Sequence, residues 1–376
     1  MKKKTYSYDR SGLLALSTVS VMAPMLRLFP SGSAQIAGKA AWLSPFFAFP
    51  LLLIYVCFIS SFMERREDGE GLCQLCMRAM GLRIGRLFMC VILLWLLLYS
   101  AFVLRSGADR IITTIYPNSS PPVFCICMAI LGYVAAAGAV RTLVRSAKIV
   151  LPAVLGVLLL VLGFGLFSID SSNLLPITSQ DIVPALGGSL AAIDVLAVGL
   201  YCVCFVEGCC TRSQGRRLGF SVVLLLLTLL LTLLSVDVLG CFGVELCSIL
   251  TRPFFSLVRN IVFFNSLERM EALVVSLWIF PDFLLLSVFL CGAQQCLRLI
   301  LGNYQPYAGE KLWDLRKGRW CIAVCTFSAL ICSIVMAPDS KTLNMWSSQI
   351  IPLINLAFAF IFLPIIYILG RVRKRI

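Results

Sequence analysis

Long, uninterrupted apolar runs dominate this sequence. A helix that crosses a bilayer needs roughly 20 mostly apolar residues, and about ten such stretches can be marked. Their approximate limits are 12–30, 41–62, 87–108, 122–140, 149–169, 189–209, 218–240, 270–293, 320–337 and 347–369. The runs are continuous and do not alternate, which excludes the strands of a membrane β-barrel. The sequence therefore predicts an all-α membrane protein, with a single transmembrane domain over 1–376.

Composition and charge also place the chain in a membrane. Hydrophobic residues make up 60% and charged residues 13% of the 376, whereas a soluble domain has roughly 25% charged residues. The net charge is +14, which in a soluble protein would favour a nucleic acid partner. Here the basic residues stand between apolar runs, where they face anionic lipid headgroups. The sequence predicts the lipid bilayer, and no nucleic acid, as the partner of these charges.

The basic residues also orient the chain, because Lys and Arg are enriched in cytoplasmic segments. With a cytoplasmic N-terminus, the two terminal segments and the even-numbered connections hold 24 of the 32 basic residues. Both termini are therefore expected in the cytoplasm. The longest connection on the opposite side, near 241–269, is amphipathic and rich in Phe. It is expected to form a helix that lies on the outer membrane face.

Signatures of catalysis and metal binding are missing or incomplete. The sequence has no His, which excludes a Ser-His-Asp triad and a His-ligated metal. Cys73 and Cys76 have CxxC spacing in what reads as a polar loop, but a zinc site usually takes four ligands and no second pair completes the set. A phosphate-binding GxxxxGK motif is absent too. The sequence predicts no enzyme, no metal and no cofactor.

Two predicted helices carry residues that can interrupt a helix. Helix 1 contains Met22-Ala23-Pro24, in which Pro24 removes a backbone donor, and helix 6 contains Gly199, which lowers the cost of unwinding. These helices open two five-helix halves, which span 12–169 and 189–369. Interrupted helices at corresponding positions of inverted repeats indicate a transporter-type binding site. The alternative is that Pro24 only kinks its helix and Gly199 only permits close packing.

Charged and aromatic side chains inside the spans are a second indication of a site. Arg27 in helix 1 and Asp194 in helix 6 lie at similar depth, so they are expected to face each other or to bind a carboxylate and an amine, respectively. Alternatively, Arg27 extends to the outer headgroups. Asp282 in helix 8 is a candidate for an ion or proton path. Tyr99 and Tyr201 are candidates to close a pocket, although a buried Tyr more often only packs.

Several short motifs occur in an order that resembles one family over nearly the whole chain. They are AGKAAWLS at 37–44, the prolines Pro117, Pro121 and Pro122, the segment 138–145 with Pro152, and the segments 251–253 and 267–272 with Trp278. Their order and spacing are similar to those of the spore germination permeases, the B subunits of endospore germinant receptors. That family belongs to the amino acid–polyamine–organocation superfamily.

The resemblance implies a five-plus-five inverted-repeat fold, as in leucine-transporter-like proteins, with a small nutrient, commonly an amino acid, between helices 1 and 6. It implies an A subunit and a C subunit lipoprotein as partners in the spore inner membrane, where nutrient binding triggers ion release. Two features depart from the family. Residues 22–25 replace a Gly-containing turn, and Arg141 stands near a family Glu position. A different ligand, or loss of ligand binding, would follow from these departures.

Three functions are consistent with these features. The first is a nutrient-sensing subunit of a germination receptor, in which the ligand shifts the bundle between two states. The second is a proton-coupled amino acid permease, which needs a titratable group such as Asp194 or Asp282 in its path. The third is a structural receptor subunit that binds no ligand, which the departure in helix 1 favours.

Overall fold

The computed structural model describes residues 10–67, 69–209, 216–250, 252–260, 270–302 and 316–375. Over these residues the chain is built from helices, and no strand is found. The helices are α1 (Arg10–Leu28), α2 (Ser31–Ala37), α3 (Ser44–Met63), α4 (Leu72–Met80), α5 (Leu82–Thr114), α6 (Pro121–Ala136), α7 (Val140–Gly165), α8 (Ile182–Cys202), α9 (Arg216–Ile249), α10 (Pro253–Asn260), α11 (Met270–Ile300), α12 (Arg316–Met336), α13 (Ser340–Met345), α14 (Ile351–Ala357) and α15 (Leu363–Val372). The all-α prediction is confirmed for this part of the chain.

Several of these helices, alone or joined end to end, are long and apolar enough to cross a bilayer. Among the described residues, eight helical stretches meet that requirement, and α1 and α6 contain shorter apolar helices. Large apolar side chains on their surfaces, such as Ile54, Leu94 and Phe327, are 67%, 69% and 64% exposed. Water disfavours so much exposed apolar surface, whereas lipid accepts it. The chain is therefore an integral membrane protein.

The C-terminal helix series, from α13 to α15, contains two wider turns. These are π-helical segments at Trp346–Ile350 and Phe358–Phe362. Pro352 and Pro364 stand in the first turn after these segments, and neither can donate a backbone hydrogen bond. The missing donors account for the local change of hydrogen-bond register. The predicted span over 347–369 is thus helical but less regular than its apolar sequence indicates.

The amphipathic segment predicted near 241–269 folds in two parts. First, α9 continues through a kink at Gly243, whose φ of 71° suits a residue without a side chain. Then α10 buries one face, which includes Phe254 and Phe255. Residues 261–269 lie outside the described part of the chain. The apolar face of α10 packs against α9 and α11, so it contacts protein where the sequence predicts contact with lipid headgroups.

The predicted helix interruptions at Pro24 and Gly199 are wrong. Helix α1 continues through Pro24, and α8 continues through Gly199 before it tightens into the 3₁₀ turn Val203–Phe205. Buried membrane helices tolerate Pro because neighbouring groups compensate for lost backbone bonds. In the same turn of α1, Trp278 Nε1 of α11 donates to Met22 O over 2.9 Å and so holds this part of α1 against α11. Both helices are therefore intact where the sequence predicts unwound backbone.

Gly199 instead forms a close contact between α8 and α1. A methyl group on this residue would lie 2.0 Å from Val21 Cγ2 and 3.0 Å from Ser17 O. Ser17 Oγ donates to Gly199 O over 2.7 Å, and this bond is buried. Only a glycine lets two helix backbones approach so closely. The two helices are thus packed directly against each other at the level where the sequence predicts a chamber.

A buried charge cluster connects the end of α8 to two other elements. Glu207 is 7% exposed, and it forms ion pairs with Arg216 of α9 and with Arg66 in the α3–α4 connection. Arg66 Nη1 also donates to Glu207 O over 2.6 Å. Glu207 lies at a helix end but does not face bulk water, because both arginines cover it. The cluster holds α9 and the α3–α4 connection against α8.

Cys73 and Cys76 lie in the short buried helix α4 and not in a polar loop. Cys73 Sγ is 3.4 Å from Cys296 Sγ of α11. Burial, with Cys73 and Cys204 nearby, raises the pKa of the Cys76 thiol well above its usual value. Cys76 therefore stays neutral at neutral pH and packs in the core as a small apolar side chain.

Replacing Gly199 by Ala is expected to lower the free energy of unfolding by about 1–3 kcal/mol, since overpacking a tight contact forces its surroundings to move. The matched control is Gly156→Ala in α7, where a methyl group meets nothing within 4 Å. Thermal unfolding in detergent, followed by size-exclusion chromatography, compares the two variants. Adding Val21→Ala to Gly199→Ala should restore part of the loss. Equal melting temperatures for the two glycine variants would contradict the close packing.

Replacing Glu207 by Gln is expected to destabilise the protein by about 3–5 kcal/mol, because Arg216 then stays buried without its counter-charge. The control is Glu64→Gln. Glu64 and Arg217 form a 2.9 Å pair with 46% and 52% of the side chains exposed, and exposed pairs contribute about 0–1 kcal/mol. Unfolding by denaturant in one detergent measures both variants. A loss at Glu64 as large as the loss at Glu207 would argue against the buried cluster.

Candidate functional site

Five aromatic side chains meet where α5, α8, α11 and the C-terminal helix series converge. We call them the central cluster: Trp95, Tyr99, Tyr201, Phe289 and Phe358. Ring centroids are 5.3 Å apart for Trp95–Tyr99, 4.9 Å for Tyr99–Phe289 and 5.2 Å for Tyr201–Phe358. Phe289 stacks on Tyr201 at 6.4 Å. Each member is at most 4% exposed, so the cluster is closed to lipid and to water in this conformation.

The helical repeat explains why these side chains share one region. Trp95 and Tyr99 are four residues apart on α5, which places them on one face in successive turns. Asp194 and Tyr201 are seven residues apart on α8, which again places them on one face. Asn355 lies in α14, between the two π-helical segments. Three separate spans therefore direct one polar or aromatic face to the same place.

Three polar side chains run along the central cluster and form what we call the polar chain. Tyr201 Oη donates to Asn355 Oδ1 over 2.6 Å. Asn355 Nδ2 donates to Asp194 O over 2.9 Å and also to the Asp194 carboxylate. The three side chains belong to residues that are at most 2% exposed. Since buried polar groups in a membrane need partners inside the protein, the polar chain holds α14 to α8.

The polar chain and the central cluster together offer the chemistry that recognises a small amine. A carboxylate such as that of Asp194 favours a positive charge, aromatic faces bind cations, and the Tyr201 hydroxyl can donate or accept. In the described conformation the Asn355 amide donates to Asp194, at the position that the ammonium group of a ligand would take. Among the residues that the structure describes, no group of three or more Cys, Asp or Glu side chains is placed to hold a metal ion.

The structure brings together three of the residues that the sequence predicts for a site. Tyr99 belongs to the central cluster, Asp194 to the polar chain and Tyr201 to both. The side chain of Arg27 lies outside the described part of the chain. The other predicted residues are buried within α1 and α8, away from any unwound backbone: Met22, Ala23, Pro24 and Gly199.

Asp282, predicted for an ion or proton path, forms a buried ion pair with Arg110 of α5. Asp282 is 0% exposed and Arg110 is 3% exposed. The Arg110 guanidinium also lies over the ring of Phe255 in α10, 5.8 Å from its centroid. The charge of Asp282 is therefore balanced inside the protein, and the pair ties α11 and α10 to α5.

A further acidic residue, Asp109, lies on α5 one residue before Arg110. Asp109 forms an ion pair with Arg252, which precedes α10, and accepts from Ser340 Oγ of α13 over 2.8 Å. Arg105 lies 3.8 Å from Asp109 and donates from Nε to Ala337 O over 2.7 Å. The end of α5 thus carries a network of matched charges that fixes α10 and the start of α13.

The structure shows three buried polar residues that the sequence analysis did not select as candidates. Asn355 is a polar amide inside an apolar span, which is an available signal because such residues are unfavourable in lipid. Asp109 lies just beyond 108, the predicted end of helix 3, whereas α5 extends to Thr114. Asp237 is a lone acidic residue in the apolar run of α9.

Comparison with protein families matches residues 26–340 to the family described as spore germination protein. The match begins in α1 and ends at the start of α13. It includes Tyr99, Asp194 and Tyr201, while Asn355 lies beyond it. No curated protein matches the chain. Because the match covers most of the chain, and agrees with the motifs in the sequence, this protein belongs to the spore germination protein family.

Proposed function

We propose that this chain is the nutrient-sensing subunit of a spore germination receptor and that a small, amino-acid-like molecule binds at the polar chain. The observation that carries the proposal is the buried contact of Asp194 with Asn355 beside the aromatic central cluster. Membership of the spore germination protein family supports a role in germination. The acidic and aromatic character of the site supports a ligand with an amine. The proposal includes no catalytic step.

Ligand binding at this site exchanges one hydrogen-bond donor for another. In the described conformation the Asn355 amide donates to Asp194. The ammonium group of the ligand would take its place, since a hydrogen bond between two charged groups is about twice as strong as a neutral one. The faces of Tyr99 and Tyr201 would add roughly 0.5–2 kcal/mol of cation–π attraction. The same exchange would release α14 from α8.

The released segment is also the least regular helix of the bundle. Asn355 lies between the π-helical segments Trp346–Ile350 and Phe358–Phe362, and such segments often occur at functional sites. A ligand that binds one of two arrangements more tightly shifts the population toward it. We therefore propose that movement of α14 is the signal that the subunit passes on.

Helix α1 has a supporting part in the proposal. Arg27 follows Pro24 by less than one helical turn. We propose that it receives the carboxylate of the ligand, because the sequence predicts that Arg27 and Asp194 lie at similar depth in the membrane. Met22 lies in the turn that α11 holds through Trp278. Gly199 sets the spacing between α1 and α8. These contacts would keep one side of the site fixed while α14 moves.

We further propose a topology of ten spans with both termini in the cytoplasm. The eight long apolar stretches, together with α1 and α6, supply ten segments. The five-plus-five arrangement divides them into 12–169 and 189–369, and α1 and α8 would be the corresponding first helices. Their direct packing is consistent with two halves that meet along these helices.

The proposed setting is the spore inner membrane, with an A subunit and a C subunit lipoprotein as partners. A sensing subunit needs partners, because a movement of α14 has an effect only when another protein binds the two arrangements differently. The lipid bilayer supports this assembly along the exposed apolar surfaces of the spans.

Replacing Asp194 by Asn is expected to weaken amino acid binding at least tenfold, about 1.4 kcal/mol, because the ligand amine loses its counter-charge. Asn has the same shape and can still bond to Asn355, so the fold should be kept. Isothermal titration of the full-length protein in nanodiscs with a panel of amino acids measures the affinity. The matched control is Asp339→Asn, an exposed acidic residue before α13.

Three outcomes would contradict this proposal. Equal affinities for Asp194→Asn and Asp339→Asn would move the site elsewhere. No heat with any amino acid, from protein that remains folded, would leave a structural receptor subunit. Robust uptake of labelled amino acid by this chain alone in proteoliposomes would identify a permease, and a pH gradient that drives the uptake would show that it is coupled to protons.

A further inference from the structure

Asp237 is an acidic side chain of a membrane helix without a partner among the described residues. It lies in α9 and is 0% exposed. Neither of its carboxylate oxygens has a hydrogen-bond partner. Two other deeply buried acids each have a partner, since Asp194 is hydrogen-bonded to Asn355 and Asp282 forms an ion pair with Arg110. Asp237 therefore needs a separate explanation.

The surroundings of Asp237 are apolar and close. A methyl group on Gly165 of α7 would lie 2.7 Å from Asp237 Oδ2, so the carboxyl group rests against the α7 backbone. One turn further on, the Cys241 thiol bonds to Gly165 O over 3.6 Å. A methyl group on Gly240 would lie 2.7 Å from Ile169. Among the described residues, these contacts bring no cation to the carboxyl group.

Four charged groups near this end of α9 are engaged elsewhere, while Arg10 lies against Gly219 toward the other end of the helix. Lys39 Nζ donates to Ser172 O and Leu175 O over 2.8 and 3.1 Å. Asp170 accepts from Ser172 N over 2.9 Å, Asp194 is in the polar chain, and Arg252 pairs with Asp109. The Cys241 thiol, one turn further along α9, donates to Gly165 O. None of these groups neutralises the carboxylate.

An ionised carboxylate in such a place is energetically unfavourable. Removing it from water costs several kcal/mol, and no opposite charge offsets that cost here. A neutral carboxylic acid costs much less to bury. A bound metal cation would need several oxygen ligands, and the wall of Gly165, Ile169 and Cys241 does not provide such a shell. A proton is the ligand that this geometry accepts.

We propose that Asp237 is a proton-binding site, occupied in the described conformation and emptied when α9 and α7 separate. The carboxylate takes one proton from bulk water as the helices close and returns it to water as they open. The turn that follows α7 covers the site, because Asp170 N and Asn173 Nδ2 both donate to Gly240 O, over 3.1 and 2.9 Å. This proposal concerns the protein without nutrient, so its test is independent of the site proposed at Asp194.

Infrared spectroscopy of the full-length protein in nanodiscs tests the proposal directly. A protonated carboxylic acid has a carbonyl band that a carboxylate lacks. At neutral pH we expect this band in the wild type and its loss in Asp237→Asn. The control Asp170→Asn should leave the band unchanged, since the backbone N–H of Ser172 lowers the pKa of Asp170 and keeps that exposed group ionised. A wild-type spectrum from which Asp237→Asn removes no band overturns the proposal.

Stability as a function of pH provides the second measurement. If only the folded state holds the proton, the contribution of Asp237 is present at low pH and disappears as the pH rises. The melting temperature of the wild type should therefore fall with rising pH more than that of Asp237→Asn. Asp170 acts with the opposite sign, because its lowered pKa gives a contribution that is lost as the pH falls.

Two further results would decide against a proton. A melting temperature that rises with Na⁺ or K⁺ at constant ionic strength, in the wild type but not in Asp237→Asn, would identify a metal cation site and overturn the proposal. If Asp237→Asn gives no folded protein, Asp237→Glu serves instead, and the carboxylic acid band should shift in frequency. An unchanged band in Asp237→Glu would assign it to another residue and overturn the proposal.

Discussion

Inside a helical bundle surrounded by lipid, a charged side chain has no water to bind, and its partner must come from the protein. Glu207 meets this requirement with two arginines at one end of the bundle, and Asp282 meets it with Arg110 toward the other end. The Arg66–Glu207 and Arg110–Asp282 pairs join elements that are distant in sequence. The interactions that neutralise charge are therefore also the ones that fix the helices relative to one another.

Between these two ends lies a buried carboxylate that an amide contacts. The carboxylate of Asp194 has the neutral amide of Asn355 as a partner, and Tyr201 completes the polar chain. A neutral donor compensates a carboxylate less well than a cation does. In the proposed function the amine of the ligand replaces the Asn355 amide at Asp194, whereas the buried pairs at the two ends would lose by exchanging an arginine for it. In this proposal the buried ion pairs of Glu207 and Asp282 stabilise the bundle, and the Asp194–Asn355 contact is the one that a ligand can break.

The sequence predicts the helices of this bundle well, because continuous hydrophobicity over a membrane thickness leaves few alternatives. It predicts their local details poorly. Pro24 and Gly199 are compatible with unwinding and with tight packing, and only the neighbours Val21 and Trp278 decide between the two. Of the predicted site residues, Tyr99, Asp194 and Tyr201 converge because helical spacing places them on single faces. The family, by contrast, follows from ordered motifs and needs no knowledge of packing.

The partners of buried polar residues are the part that the sequence could not supply. Asn355 is 154 residues from Tyr201, and Arg252 is 143 residues from Asp109, so no local pattern connects them. Asp194 and Asp237 also show that the residue type does not determine the partner. Both are aspartates in apolar helices, yet one faces an amide and the other faces the α7 backbone. We therefore propose an amine as the ligand of the first and a proton as the ligand of the second, because the neighbours, and not the residue type, determine which positive charge a carboxylate can hold.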